Sequence, residues 1–170
     1  MDYPVQRVLE AMIAHDSGDP GLIHHFLKVH SFARLIALAE GLGPHDLLVT
    51  ETAAAVHDIG ILQARAVYGS GGGKYQEELG PAEAEAMLAG LGWPEDVIRR
   101  VSFLVAHHHT YTDIDGPDYQ ILVEADFLVN LYEEGATPET QRRAYETIFR
   151  TEAGRRLCRA LFPAVSGSSR

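Results

Sequence analysis

The sequence predicts an all-α fold, a single-domain helical bundle, on three observations. Apolar residues recur three and four positions apart in long segments, which is the helical period. Gly and Pro lie at the ends of these segments, where helices begin and end. No segment shows the alternation of apolar and polar residues that is typical of a strand. At 170 residues, the chain has the length of one domain, and we expect this domain over 1–165 and a frayed tail over 166–170.

The predicted helices begin and end at recognisable residues. Pro81 and Pro94 lie at first turns, where the missing backbone N–H costs no hydrogen bond. The cluster of Gly and Pro at 41–44 ends a helix. In chain order, the predicted helices cover residues 4–15, 22–40, 45–56, 81–88, 94–108, 119–133, 138–149 and 154–161. A Gly-rich segment predicts a loop over 65–75, and a polar cluster predicts a turn over 113–117.

The charge of the chain excludes several classes of partner. Lys and Arg total 14 against 24 for Asp and Glu, which gives a net charge of −10. Such a chain has no general attraction for a nucleic acid polymer or an anionic membrane, but it gains from binding cations. The single cysteine, Cys158, excludes an internal disulfide framework. Residues 1–4 show no secretory signal, and no segment approaches the ~18–20 apolar residues of a membrane span. We therefore expect a cytoplasmic protein.

Histidine is unusually frequent, with nine residues, and several of them lie where apolar residues are expected. His25 follows Leu22 by three positions and precedes Val29 by four, so it shares the apolar face of the second helix. His108 follows Val101 by seven positions and ends the apolar face of the fifth helix. Taken alone, each histidine would be interpreted as a hydrogen-bonded core residue.

Aspartates interrupt apolar faces in the same way. Asp126 follows Leu122 by four positions in a nearly apolar segment, and His57-Asp58 directly follows the Ala-rich third helix. A buried ionised carboxylate is strongly unfavourable unless it is paired or bound to a metal ion, and no core Lys or Arg is evident. Four helices that each contribute a His or an Asp therefore predict a divalent metal, one of Fe, Mn, Zn, Co, Ni or Mg, held between the helices.

Three segments resemble the HD superfamily of metal-dependent phosphohydrolases. AAAVHDIG at 53–60 resembles the His-Asp signature of this family, and HFLKVHSFA at 25–33 resembles its first histidine motif. EAD at 124–126 resembles the motif of its final metal-binding aspartate. The resemblance covers about residues 20–135 and implies a helical bundle that holds at least one divalent metal ion. The ligands that it implies are His25, His57, Asp58 and Asp126.

The triplet His107-His108-His109 raises the question of one metal ion or two. Some HD proteins, including the HD-GYP phosphodiesterases, carry extra histidines between the motifs and hold two ions. QEELG at 76–80 lies where such proteins often have a further His, so a second ion would need Glu77 or Glu78 with His108 or His109. In the alternative, the triplet borders the pocket and contacts the substrate. The Gly-Tyr-Pro motif is absent, so a cyclic-dinucleotide phosphodiesterase is not indicated.

The resemblance implies hydrolysis of a small phosphate ester, a monoester or a diester such as a nucleotide. Asp58 would act as a metal ligand that orients the attacking water, and His108 as a general acid or base. The candidate substrate-binding residues are Lys28, Arg65, Lys74, Tyr75 and His107. The segment GSGGGKY at 69–75 lacks the first Gly and the Ser or Thr of a P-loop, so we interpret it as a lid or an ordinary loop.

Two other function classes stay open on the sequence. The same His and Asp set would serve a di-iron HD-fold oxygenase, and a metal-containing binding or regulatory module would need no turnover. The apolar residues of the last helices, such as Tyr145 and Phe149, either complete the core or form a contact in a homodimer.

Overall fold

Helices make up the secondary structure of residues 3–167, which are the residues that the computed structural model describes. In chain order they are α1 (Gln6–His15), α2 (Pro20–Ala39), α3 (Pro44–Val56), α4 (Ile61–Tyr68), α5 (Gly73–Gly90), α6 (Glu95–His107), α7 (Pro117–Glu133), α8 (Pro138–Thr147), α9 (Glu152–Leu161) and a 3-10 helix at Pro163–Val165. These residues include no strand, so the predicted all-α fold class is confirmed. Most of the tail predicted over 166–170 lies outside the described residues.

Helix α3 lies at the centre of the bundle. It packs against α1, α2, α6 and α7, and every residue from 49 to 56 is buried. A helix that is buried on all sides needs small apolar residues, and 53–55 are three consecutive alanines. Because α3 ends inside the bundle, the His57-Asp58 pair that follows it is delivered to the core.

The predicted loop over 65–75 is wrong for most of its length. Helix α4 continues to Tyr68, α5 begins at Gly73, and only 69–72 lie outside helices. Helix α5 also passes through Pro81, which was expected to begin a helix. Proline removes one backbone hydrogen bond from a helix, but α5 packs along α6 and buries side chains such as Leu88 there, which stabilises the continuous helix.

Two glycines allow the segment after His57-Asp58 to lie against α5. A Cβ atom at Gly60 would lie 2.8 Å from the backbone N and Cα of Gly80. A Cβ atom at Gly80 would lie 2.8 Å from Cγ1 of Val105 in α6. Glycine at both positions therefore brings three segments of the site region into contact.

The C-terminal helices complete the core of the domain. Phe149 and Cys158 are fully buried, whereas Leu161 is exposed. Burial of Phe149 favours the core interpretation of these helices, and the homodimer stays a prediction. None of the helices within residues 3–167 is both long and apolar enough to cross a membrane.

Candidate metal centre

Four predicted side chains from α2, α7 and the segment after α3 converge on one point. Nε2 of His25 lies 3.2 Å from each of three atoms, Nε2 of His57, Oδ2 of Asp58 and Oδ1 of Asp126. Nε2 of His57 lies 3.4 Å from Oδ2 of Asp58 and 3.5 Å from Oδ1 of Asp126. Their side chains are at most 15% exposed. His25, His57 and Asp58 therefore form a group that could hold a metal ion.

The ends of α3 and α6 orient two imidazoles of the site. Nδ1–H of His57 donates to the carbonyl of Ala54 at 2.8 Å, and Nδ1–H of His108 donates to the carbonyl of Val105 at 2.9 Å. Both carbonyls lie in the last turn of a helix, where backbone C=O groups have no helical N–H partner. With the proton on Nδ1, the neutral ring of each histidine presents a lone pair on Nε2.

Helix α7 orients the other two predicted ligands. Nδ1–H of His25 donates to Oε2 of Glu133 at 3.0 Å, so its Nε2 also presents a lone pair when the ring is neutral. Nδ2–H of Asn130 donates to Oδ1 of Asp126 at 3.0 Å. Positions 126, 130 and 133 lie on one face of α7. This single helix therefore supplies one candidate ligand, Asp126, and the hydrogen-bond partners of two candidate ligands, His25 and Asp126.

Electrostatics in the centre favour ionised carboxylates. Burial alone would lower the pKa of His25, but its bonds to Asp126 and Asp58 outweigh burial and raise the pKa to about 9. Burial raises the pKa of each aspartate, yet the neighbouring imidazoles outweigh it and lower both values. Two buried carboxylates thus draw protons onto the imidazoles around them. A divalent cation would replace those protons, because metal ligands bind as neutral imidazole and ionised carboxylate.

His108 provides an independent test of whether a cation fits. Its Nε2 is buried and has no hydrogen-bond partner within residues 3–167, although it lies 3.3 Å from Oδ1 of Asp58. Leaving a buried polar nitrogen unpaired is costly, and such an atom calls for an explanation. A lone pair on this nitrogen beside a carboxylate oxygen suits a cation between them, so the residues present fit a divalent metal.

Asp58 belongs to two overlapping groups. Its Oδ2 lies beside His25 and His57, and the aspartate also forms a second group that could hold a metal ion with His108 and His109. Burial, and then the neighbouring His108, lower the pKa of His109 to about 4, so that the His109 ring is neutral near pH 7.

The glutamates predicted for a second ion contact other partners. Oε1 of Glu77 accepts from the backbone N–H of His109 at 3.0 Å and from the hydroxyl of Thr110 at 3.1 Å. Glu78 accepts from the exposed hydroxyl of Tyr68 at 2.7 Å. Glu77 therefore supports the backbone next to the site, and Glu78 lies with a surface tyrosine.

A cleft of about 340 Å³ opens over the centre. Its lining residues are Asp19, Gly21, Leu22, His25, Asp58, Ile61, Arg65, Gln76, His109, Asp126, Asn130, Glu133 and Glu134. A larger cavity of about 680 Å³ between α1, α2 and α3 contains none of the predicted ligands. The cleft over the centre is therefore the candidate substrate site.

The predicted substrate-binding residues are scattered around this cleft. Arg65 lines the cleft and pairs with Asp19 at 3.0 Å. Lys28 pairs with Glu133 at 2.7 Å, beside the cleft. Lys74 is exposed at the beginning of α5, where Tyr75 stacks on Tyr68 with ring centroids 4.3 Å apart.

His107 lies apart from the other two histidines of the triplet. It stacks on Phe103 with ring centroids 4.2 Å apart and bonds to the Phe103 carbonyl at 2.7 Å. The structure thus brings His108 and His109 to the centre and places His107 elsewhere on α6.

Sequence reasoning missed three polar residues of the site. Asn130 and Glu133 follow Asp126 by four and seven positions, a helical spacing that could have indicated them. Gln76 is buried and lines the cleft, but it lies between the predicted loop over 65–75 and the helix predicted from Pro81, where nothing in the sequence indicates burial.

Comparison with known proteins points to one family. A family model described as HD domain matches residues 22–145. The crystal structure of a predicted HD superfamily hydrolase from an uncultured Thermotogales bacterium is similar in fold, with a TM-score of 0.67. It is 24% identical, and the alignment covers 95% of this chain and 86% of that one. No curated protein matches the chain. With most of its length matched by the family model, the chain belongs to the HD-domain family.

Proposed function

We propose that this protein is a metal-dependent phosphohydrolase that acts on a small phosphate ester. One observation carries the proposal: Nε2 of His25 lies 3.2 Å from a second imidazole nitrogen and from two carboxylate oxygens in a buried centre below an open cleft. Membership of the HD-domain family supports it, and so does the fold shared with a predicted HD superfamily hydrolase.

The residues at the centre have distinct roles in this proposal. A bound divalent ion, one of Fe, Mn, Ni, Co, Zn or Mg, would supply a nucleophile near neutral pH and would neutralise charge on a phosphoryl group. His25, His57, Asp58 and Asp126 would hold this ion. Asp58 faces both donor groups and would fix the position of the attacking water. His108, whose buried Nε2 has no hydrogen-bond partner among the described residues, would accept a proton, or serve as a ligand if two ions bind.

The charges of the cleft favour a compact substrate with a single phosphoryl group. Glu133 and Glu134 line the cleft together with Asp19, and the lining cation, Arg65, is paired with this aspartate. The lining within residues 3–167 thus offers no unpaired Lys or Arg for additional phosphates. Affinity for phosphate would come from the metal, and the carboxylates would favour an ester whose organic part is neutral or cationic.

A screen of phosphate esters tests the proposal. The chain, loaded in turn with Mn, Co, Ni or Mg, is offered monoesters and diesters, and wild type is compared with Asp58→Asn. We expect kcat to fall by more than the ~10–100-fold typical of residues that only support a ligand. The matched control is Asp46→Asn at an exposed aspartate on α3, which should leave kcat unchanged.

Three outcomes would contradict the proposal. Hydrolysis that is unchanged in Asp58→Asn would separate the activity from the centre. Bound metal without turnover of any ester would favour a binding module. Oxygen consumption by the iron-loaded chain, without hydrolysis, would favour an oxygenase.

A further inference from the structure

Residues 71–77 enclose the imidazole of His109. A Cβ atom at Gly73 would lie 2.8 Å from Cγ and Cδ2 of the ring, so this backbone packs directly against the ring. Oε1 of Gln76 lies 3.0 Å from Nε2 of the ring, and Oε1 of Glu77 accepts from the backbone N–H of His109 at 3.0 Å. His109 is therefore held by the Gly73 backbone, by the Gln76 amide and by the hydrogen bond of its own backbone N–H.

The hydrogen bonds of Gln76 determine which nitrogen of His109 carries a proton. The Gln76 amide nitrogen donates to the carbonyl of Gly71 at 2.7 Å, and a carbonyl can only accept. The amide oxygen must then face His109, and an amide oxygen can only accept as well. Nε2 of His109 is therefore the protonated nitrogen, and the lone pair of the neutral ring lies on Nδ1.

We infer that Gln76 is a positioning residue that holds His109 as the Nε2–H tautomer and leaves Nδ1 as its only nitrogen able to accept a proton or bind a cation. This arrangement is opposite to that of His57 and His108, whose Nδ1–H groups donate to carbonyls of their own helices. The tautomer follows from the contacts of Gln76 alone. The use of the lone pair, in the group that His109 forms with Asp58 and His108, rests on the proposed function.

An amide suits this position better than a carboxylate would. Gln76 is buried and shares the cleft lining with Asp58 and Asp126. A third carboxylate there would add a like charge and would draw a second proton onto the His109 ring. The amide fixes the tautomer without adding charge, so the Nδ1 lone pair is retained.

Long-range ¹H–¹⁵N NMR spectra of the full chain test the inference, because they identify the protonated nitrogen of each histidine ring. Spectra are recorded metal-free and with diamagnetic Zn²⁺. We expect the proton of His109 on Nε2 in wild type and a mixture of both tautomers in Gln76→Met. The control is Gln141→Met, which removes a similar amide-to-carbonyl bond at Ala136 and should leave the His109 signals unchanged.

A second variant and a kinetic measurement complete the test. Gln76→Glu keeps an acceptor at this position, so the proton on Nε2 should remain, while the added charge should draw a second proton onto Nδ1. In the hydrolysis assay, Gln76→Met should lower kcat about tenfold and change KM little, as for other partners that orient a functional imidazole.

The spectra can overturn the inference without any variant. A wild-type proton on Nδ1 of His109, or a tautomer that Gln76→Met leaves unchanged, would refute it. If the Nε2–H tautomer depends on Gln76 but no phosphate ester is hydrolysed, the inference stands and the proposed function fails.

Discussion

Removal of Glu133 is expected to weaken metal binding without removing a ligand. Its Oε2 accepts from Nδ1–H of His25 at 3.0 Å, and its Oε1 pairs with Lys28 at 2.7 Å. With the Nδ1 proton fixed in this way, Nε2 of His25 faces Asp58 and Asp126. The perturbation is Glu133→Ala, which leaves all four candidate ligands in place.

The size of the effect follows from the exposure of the two contacts. A hydrogen bond to a charged group contributes ~1.5–3 kcal/mol when it is shielded from water. The Glu133 side chain is 30% exposed, so water would replace part of the bond and the lower end of this range applies. The pair with Lys28, whose side chain is 40% exposed, adds little. A loss of about 1.5 kcal/mol corresponds to about a tenfold higher Kd for the metal.

Competition with a chelating dye measures this difference directly. Zn²⁺ is titrated into wild type, Glu133→Ala and the control Glu134→Ala, which removes the neighbouring carboxylate from the same cleft lining. We expect about a tenfold rise in Kd for Glu133→Ala and less than a twofold rise for the control. Equal weakening in both variants would assign the effect to the charge of the cleft, and no weakening in either would refute the orienting role of Glu133.

Three further predictions address pH, packing and substrate charge. Because the pKa of His25 is raised to about 9, a metal ion must displace a proton from this histidine below that pH. The affinity of the chain for the metal should therefore rise with pH up to about 9. Calorimetry in two buffers with different heats of ionisation should detect proton release on metal binding at pH 7. Gly60→Ala should lower the free energy of unfolding, measured by urea denaturation, by about 2 kcal/mol, because the new methyl group meets the backbone of Gly80. The control Gly90→Ala should not be destabilising, because the space around Gly90 is open. Glu134→Lys should raise kcat/KM for nucleoside triphosphates relative to monoesters, and an unchanged ratio would contradict our account of cleft charge.

The sequence indicated those site residues that interrupt a strongly periodic apolar helix face. His25, His108 and Asp126 each interrupt an apolar face, and burial on that face brings all three to the interior. The fold class was predictable for the same reason, because the long helices contribute most of the core. Local pattern and tertiary packing agree in these segments.

The segment between α4 and α6 shows where such reasoning fails. The Gly-rich run predicts a loop and Pro81 predicts the beginning of a helix, but packing of α5 on α6 stabilises one helix that begins at Gly73 and passes through Pro81. Gln76 was missed for this reason, because a neutral polar residue outside any predicted helix gives no indication of burial. Glu133 resembles a solvated charge at a helix end, and only its distance to His25 shows that it supports the centre.

The positions of the histidines along their helices explain how each one is oriented. His57 and His108 follow the last residue of a helix, where free carbonyls of the final turn accept their Nδ1–H groups, so the backbone itself orients these rings. His25 lies in the second turn of α2, where carbonyls are already used by helical hydrogen bonds, so it needs a partner from another helix. Glu133 of α7 is that partner. Side-chain substitution can therefore remove the orienting group of His25 alone among these three, which makes Glu133 the informative position for separating ligand orientation from ligand identity.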